Sequence, residues 1–310
     1  MNLRDLKYII AVAETRHFGK AAERCFVSQP TLSGQIKKLE EELGVAIFER
    51  SNRSVEITPV GKSIVLHARQ IMEQADTILQ LARAHQDPLA GPLRIGAIPT
   101  LSPYLMPLIL APLKKQWPQM KLVLSEELTD TLLKRLHNYE IDAALLATPV
   151  EEPELASLPL FDEPFWVAYP SEHAFYTKDK ITRRDLDTEN ILLLSEGHCL
   201  ASQAMDICHI KERQLQGEMA DLRAASLETL IQLVKAGFGV TLVPALAMRG
   251  SWTSGSGVVA QPLKIPGASR RISLVYRSSF PRLAALQTFA DTILGKLPNT
   301  VKPVRHKNIT

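Results

Sequence analysis

Two cysteines stand nine positions apart in the segment LLLLSEGHCLASQAMDIC (residues 191–208), in a chain whose one other cysteine is Cys25. Such a pair serves four kinds of chemistry: half of a metal site, a permanent disulfide, a reactive thiol with a second thiol to resolve it, or two thiols that fill space. Zinc sites favour Cys-x-x-Cys pairs with further Cys or His ligands. Here eight residues intervene and only His198 and His209 adjoin, so a metal is not expected. Cys208, beside Met205 and Ile207 on a helical pattern, also suits core packing, and Cys25 between Arg24 and Phe26 reads as a small core residue.

The elements that must position this pair follow from the rest of the chain. At 310 residues it is long enough for two or three domains, and 45% hydrophobic with 22% charged residues is ordinary for a soluble globular protein. No run approaches the ~20 apolar residues of a membrane span. The start, MNLRDLKYIIAVAETRHFGK, reads as an amphipathic helix and not as a signal peptide. A cytoplasmic chain is therefore expected, with no membrane partner and no cofactor; permanent disulfides are rare in that compartment.

A net charge of +3 does not by itself announce nucleic acid, but its distribution is uneven. Residues 16–38 hold Arg16, Lys20, Arg24, Lys37 and Lys38 against a single acid, Glu23, with Arg50 and Arg53 following. Localised positive charge beside turn chemistry is the footprint of a DNA-binding element. Leu3, Leu6, Ile9, Ile10 and Ala13 give one helix, FGKAAERCF a second, and PTLSGQIKKLEEELG a third, with Ser28 as N-cap, Pro30 in the first turn and Gly44 as the stop. Leu32, Ile36, Leu39 and Leu43 share one face of the third helix, while Pro30, Ser33, Gly34, Lys37 and Lys38 lie opposite. That is a helix-turn-helix for double-stranded DNA. Ser28, Gln29, Pro30, Thr31, Ser33 and Lys37 are the candidate contacts of its recognition helix. VAIFERSNRSVEITPVG alternates about SNRS as a hairpin wing would, adding Arg50 and Arg53 to the DNA-facing set.

Thr58-Pro59 then opens a long helix whose apolar stripe (Val60, Ile64, Ile71, Ile78, Leu81) needs a partner, for which a second copy of the chain is the economical choice. From Leu93 the texture becomes alternating strand and helix, the pattern of an α/β fold with parallel strands. The fold class expected is α/β: an N-terminal winged helix-turn-helix (1–58), a linker and dimerisation helix (59–91) and a two-lobed, periplasmic-binding-protein-like regulatory domain (92–303). Lobe I takes residues 92–163 and 267–303, lobe II 164–266.

The segment FGKAAERCFVSQPTLSGQIKKLEEELGVAIFERSNRSVEITPVG resembles the winged helix-turn-helix of LysR-type transcriptional regulators, and the two-lobed remainder resembles their effector domain. Within that family, GHCLASQAMDIC followed by ASLETLIQLVKAGFGVTLVPALA is similar to the OxyR-type hydrogen-peroxide sensors, as are IGAIPTLSPYLMP and LFDEP. The resemblance implies that Cys199 reacts with hydrogen peroxide and that Cys208 resolves it. It also implies that Thr100, Thr129 and His198 line a peroxide pocket, with Arg270 close by. Further implications are a homotetramer, RNA polymerase as partner, cellular thiol reductants for reset, control of oxidative-stress defence genes, and no enzymatic turnover. One departure stands out: where such proteins commonly carry arginine and aspartate just after the reactive cysteine, this chain has Ala201 and Ser202.

Geometry bears on the same assignment independently. ASQAMDIC reads as a helix with Cys199 just ahead of its first turn, where peptide dipoles favour a thiolate. Nine helical residues separate the thiols by roughly 13 Å, whereas a disulfide needs α-carbons within ~7 Å. The pair is bridged only if the helix unwinds, which suits a switch. Two competing functions remain open at this level: a LysR-type regulator of a small organic effector held between the lobes, and a thiol peroxidase fused to a DNA-binding module.

Overall fold

Short polar side chains set the helix starts of the N-terminal part. Asn2 Oδ1 accepts from the N–H groups of Arg4 and Asp5, and the Asp5 carboxylate answers the N–H of Asn2, opening α1 (Leu3–Thr15). His17 Nδ1 accepts from Gly19 and Lys20 at the start of α2 (Phe18–Arg24). Ser28 Oγ accepts from Thr31 N–H at the start of α3 (Gln29–Leu43), which stops at Gly44 with φ +70°. The capping expected of Ser28, Pro30 and Gly44 is thus observed. Leu6, Ile9, Val12, Ala21, Leu32, Ile36 and Leu39 form the core of this trihelical unit, whereas Leu43, expected on the same face, is exposed in the last turn.

The wing is the antiparallel pair β1 (Phe48–Arg50) and β2 (Val55–Ile57), in register Phe48↔Ile57. It is tied to α3 by Glu40 Oε1, which accepts from the N–H groups of Ile47 (2.8 Å) and Phe48 (3.0 Å). Thr58 Oγ1 accepts from Gly61 N–H at the start of α4 (Pro59–Ala84). Val65 and Ala68 of α4 pack on the trihelical core, while Val60, Ile71 and Ile78 are exposed, Ile78 to 69%.

The structure is a computed structural model that describes residues 1–50, 55–84, 89–209, 223–249 and 257–304. The chain divides into two units, Met1–Asp87 and Pro88–Thr310. Among the described residues, no helix is long and apolar enough to cross a membrane.

The second unit begins as parallel α/β: β3 (Gly91–Ala97), α5 (Ser102–Gln116), β4 (Met120–Glu126), α6 (Thr129–His137) and β5 (Ala143–Leu146). β3 lies between β4 and β5, parallel to both. The 16-residue strand β6 (Leu155–Pro170) then threads two lobes. Its residues 155–164 pair with β9 (Ser269–Arg277); its residues 165–170 pair with β7 (Thr241–Pro244) and β8 (Val258–Pro262). The second lobe also holds α7 (Arg183–Leu186), α8 (Cys199–Cys208) and α9 (Leu227–Lys235); the chain returns along β9 to α10 (Leu283–Leu294) and β10 (Lys302–Pro303). The sheet order β10-β6-β9-β5-β3-β4 follows. Its buried residues belong to one core that spans both lobes, with Ile95, Phe161, Phe165, Val167 and Phe289 fully enclosed.

The segment that leads into α8 is held by backbone hydrogen bonds, joined by Thr241 Oγ1 donating to Leu192 O and Asn190 Nδ2 donating to Phe238 O. Leu192 N–H donates to Val240 O (2.8 Å), Ser195 N–H to Ala224 O (2.9 Å), and Val240 N–H to Asn190 O (3.0 Å). Gly239 permits this, since its φ is +155° and a Cβ there would stand 2.2 Å from the Asn190 carbonyl oxygen. Gly239→Ala should therefore destabilise the second unit by about 2 kcal/mol or more, read as a fall in the urea midpoint; an unchanged midpoint would contradict this packing.

Candidate functional site

Cys199 is the first residue of α8, so it sits inside the first turn and not ahead of it, with His198 as N-cap residue. All three cysteines are free thiols; Cys199 is half-buried and Cys208 is buried. Gly197 makes the approach possible: its φ is +91°, and a Cβ there would stand 2.9 Å from Leu128 Cδ1. Leu128 precedes Thr129, the first residue of α6, so two helix N-termini from opposite lobes are brought together at the Cys199 sulfur.

The electrostatics of that sulfur are a contest. Burial raises the Cys199 thiol above its ordinary range; the Arg270 charge, the N–H groups of Leu200 and Cys199, and the Thr129 hydroxyl each pull it back, and burial wins. The helix dipole expected to favour thiolate is present, but it is outweighed. Thr129 Oγ1 is buried and makes no hydrogen bond within normal reach, yet it lies close enough to the sulfur to favour the thiolate. Burial lowers His198, and the Ala225 backbone offsets this in part. A neutral imidazole has one ring nitrogen as donor and the other as acceptor.

Thr100 is buried, and no side-chain cap serves α5; instead Thr100 Oγ1 accepts from Arg270 Nη1 at 2.8 Å, and its carbonyl accepts from Nη2 at 3.0 Å. Arg270 Nε donates to Glu163 Oε2 at 2.9 Å, and Glu163 Oε1 accepts from Leu246 N–H at 2.7 Å. Cys199, Thr129 and Arg270 thus gather around one point between the lobes, with His198 next to Cys199 in the chain and Thr100 joined through Arg270. Sequence reading missed Glu163, Gly197's contact and the Ala225 backbone. Two adjacent acids, Asp162 and Glu163, in the otherwise apolar strand LFDEPFWVAY were the available signal for the first.

Cys208 ends α8 nine residues away and faces α7: burial, then Asp187, push its thiol up to about 11, against Arg183. Three features hold α8 in place. Gln203 Nε2 donates to Ala147 O of the first lobe (2.8 Å), Arg183 Nε donates to Ile207 O (3.1 Å), and Leu200, Ala204 and Ile207 are buried. Among the described residues, no cluster of three or more His, Cys, Asp or Glu could hold a metal ion.

In the first unit Ser28, Gln29, Pro30, Thr31 and Lys37 are exposed, and Ser33 is half-buried. Pro30, Thr31, Gly34, Gln35, Lys37 and Lys38 line a shallow groove along α3, and Lys37 approaches Glu41 at 3.8 Å. The backbone of Arg50 pairs with Val55 in the wing. Arg53 lies outside the described residues.

The chain matches two family models: "Bacterial regulatory helix-turn-helix protein, lysR family" over residues 3–62 and "LysR substrate binding domain" over 86–298. It is 41% identical to a hydrogen peroxide-inducible genes activator of Pectobacterium carotovorum over 293 residues (94% of this chain, 96% of the relative). It is 40% identical to the DNA-binding transcriptional dual regulator OxyR of Escherichia coli K12 over 297 residues (96% of each). A full-length OxyR structure from Pseudomonas aeruginosa aligns with TM-score 0.82 at 38% identity, covering 99% of both chains. A peroxide-bound cysteine mutant of Corynebacterium glutamicum OxyR aligns with TM-score 0.64 at 35% identity, covering 95% and 92%.

Because burial holds the Cys199 thiol high, its rate of alkylation or oxidation should climb with pH throughout the neutral range, as the thiolate fraction does below the pKa. Ala201→Arg adds a cation two residues on and should move that climb to lower pH. A rate independent of pH between about 6 and 8 would contradict the dominance of burial.

Proposed function

The chain belongs to the LysR family of bacterial helix-turn-helix regulators, and we propose that it detects hydrogen peroxide at Cys199 and conveys the event to DNA through a Cys199–Cys208 switch. It is a redox-sensing transcription regulator, as its OxyR-named relatives are. The observation that carries the proposal is one helix, α8, with a thiol among donors at its first residue and a second thiol buried at its last.

The Cys199 thiolate attacks one peroxide oxygen; the S–O bond forms, the O–O bond breaks, and the sulfur is oxidised by two electrons to sulfenic acid. The leaving hydroxide takes a proton and departs as water. Thr129 and Thr100 donate to the oxygen that gathers charge, the free nitrogen of His198 accepts from the peroxide O–H, and Arg270 favours the thiolate. The Cys208 thiolate then attacks the sulfenic sulfur: S–S forms, S–O breaks, and a second hydroxide leaves as water. This second step requires α8 to unwind, since the pair stands roughly 13 Å apart along the helix. Unwinding releases the Gln203–Ala147 and Arg183–Ile207 bonds and uncovers Leu200, Ala204 and Ile207. Two electrons of oxidation are thereby coupled to refolding of a segment.

The wider reading follows. Residues 1–58 bind double-stranded DNA, the linker 59–91 pairs with its copy through the exposed face of α4, and residues 92–303 sense peroxide. A homo-oligomer, built as a tetramer from two such pairs, matches repeated half-sites. RNA polymerase is the partner at the promoter, cellular thiol reductants restore the dithiol, and the protein acts in the cytoplasm with one oxidation per event, as a sensor and not an enzyme.

Cys199→Ser should abolish the peroxide response and leave DNA binding intact, whereas Cys208→Ser should accumulate and over-oxidise the sulfenic acid. Intact mass and disulfide mapping after stoichiometric peroxide check both, and a Cys199→Ser protein that still responds defeats the proposal. On the DNA side, Lys37→Ala should cost about 1–3 kcal/mol if Lys37 reads a base, while Arg53→Ala should weaken all sites evenly and flatten the salt dependence. Binding measured against salt concentration separates the two, and unchanged affinity in both variants would remove α3 and the wing from the interface.

A further inference from the structure

Glu163 takes no part in the chemistry set out above, yet its side chain and that of Arg270 are both fully enclosed. The two are direct cross-strand partners in β6 and β9, next to the point where the chain passes from one lobe to the other. A buried ion pair is a poor device for stability alone, because desolvating two charges offsets most of their attraction and an apolar pair of similar volume does as well. The placement therefore asks for another reason.

That reason is in the hydrogen bonds. Both Glu163 oxygens are engaged: Oε2 accepts from Arg270 Nε (2.9 Å) and Oε1 from Leu246 N–H (2.7 Å), a backbone group that cannot turn away. A guanidinium is planar and rigid, so fixing Nε fixes the remaining donors. Nη1 then meets Thr100 Oγ1 (2.8 Å) and Nη2 meets the Thr100 carbonyl (3.0 Å). A threonine hydroxyl carries one proton and two lone pairs. Once Arg270 occupies its acceptor side, the proton must be donated elsewhere.

We propose that Glu163 is a positioning residue for the peroxide reaction: by locking Arg270 it sets the Thr100 hydroxyl as a donor toward the bound peroxide. The inference rests on the peroxide reading above. Without the Glu163 anchor the guanidinium turns, the Thr100 proton is no longer directed, and the leaving oxygen loses a donor while it gathers charge.

The test compares two reagents on Cys199 of the full-length chain, followed by mass mapping across the thiol's titration. Iodoacetamide reads the thiolate alone, whereas hydrogen peroxide also reads the donors. In Glu163→Gln, whose amide cannot accept from both donors, the peroxide rate per thiolate should fall about tenfold or more while the iodoacetamide rate per thiolate stays within about twofold. In a Thr100→Val background the same change should add nothing, because Glu163 acts through Thr100. Glu163→Asp keeps the buried charge but is one methylene too short to reach both donors, so it reads the same loss if Glu163→Gln does not fold. Equal peroxide-to-iodoacetamide ratios in variant and parent, a parallel fall in both rates, or full additivity with Thr100→Val would each overturn the inference. A parent chain that peroxide leaves unmodified at Cys199 would instead overturn the reading beneath it.

Discussion

Nine residues of intact α-helix keep the Cys199 and Cys208 sulfurs roughly 13 Å apart, about twice what a disulfide tolerates between α-carbons. Much of the second unit is arranged around that separation. Backbone bonds at 190–195 and 224–240 fix where α8 begins, Gly197 lets its first turn reach the opposite lobe, and α7 covers its far end. A reduced chain is therefore unable to close the bond by thermal adjustment of side chains. Only a reaction that makes the Cys199 sulfur electrophilic gives Cys208 a reason to travel.

The site also shows which of two opposed effects prevails at that sulfur. A helix N-terminus and a guanidinium favour thiolate by amounts typical of partly buried charge interactions, on the order of 1–2 kcal/mol. Burial opposes them and is larger here. A buried thiol protected in this way is a poor target for bulky or charged oxidants, yet a small neutral one reaches it without carrying its own charge inside. Under the function proposed above, selectivity then comes from the donors at the site and less from general thiol acidity.

Much of this was legible in the sequence, for reasons that differ by region. Ser28, Pro30 and Gly44 specify their helix locally, because caps and stops depend on side chains within three residues. The period of the apolar residues likewise announced the alternating strands and helices of the second unit. What escaped were particular side-chain contacts decided by chain crossing. Glu163 was given no role, since nothing local says that β9 returns to lay Arg270 opposite it. The bond from Arg270 to the Thr100 hydroxyl escaped for the same reason, since it joins residues far apart in the chain. The dipole that favours a Cys199 thiolate is visible in sequence, whereas the depth of burial that outweighs it is a property of the packed lobes.

The tethers on α8 carry a further physical consequence for when the switch operates. Each interaction that unwinding breaks stabilises the dithiol form relative to the disulfide, and so makes the disulfide easier to reduce and harder to form. For a two-electron couple, 1.4 kcal/mol of such stabilisation corresponds to about 30 mV of reduction potential. The Gln203–Ala147 bond is of the ordinary neutral kind, worth about 0.5–1.5 kcal/mol, and the Arg183–Ile207 bond involves a charge, worth about 1.5–3 kcal/mol. Re-exposing Leu200 and Ile207 adds about 1.5–3 kcal/mol for each side chain that does not find new cover. Helix stability in α8 thus acts as a threshold: Cys199 and its donors govern how fast oxidation begins, and residues that touch neither sulfur govern how oxidising the surroundings must be for the new state to persist.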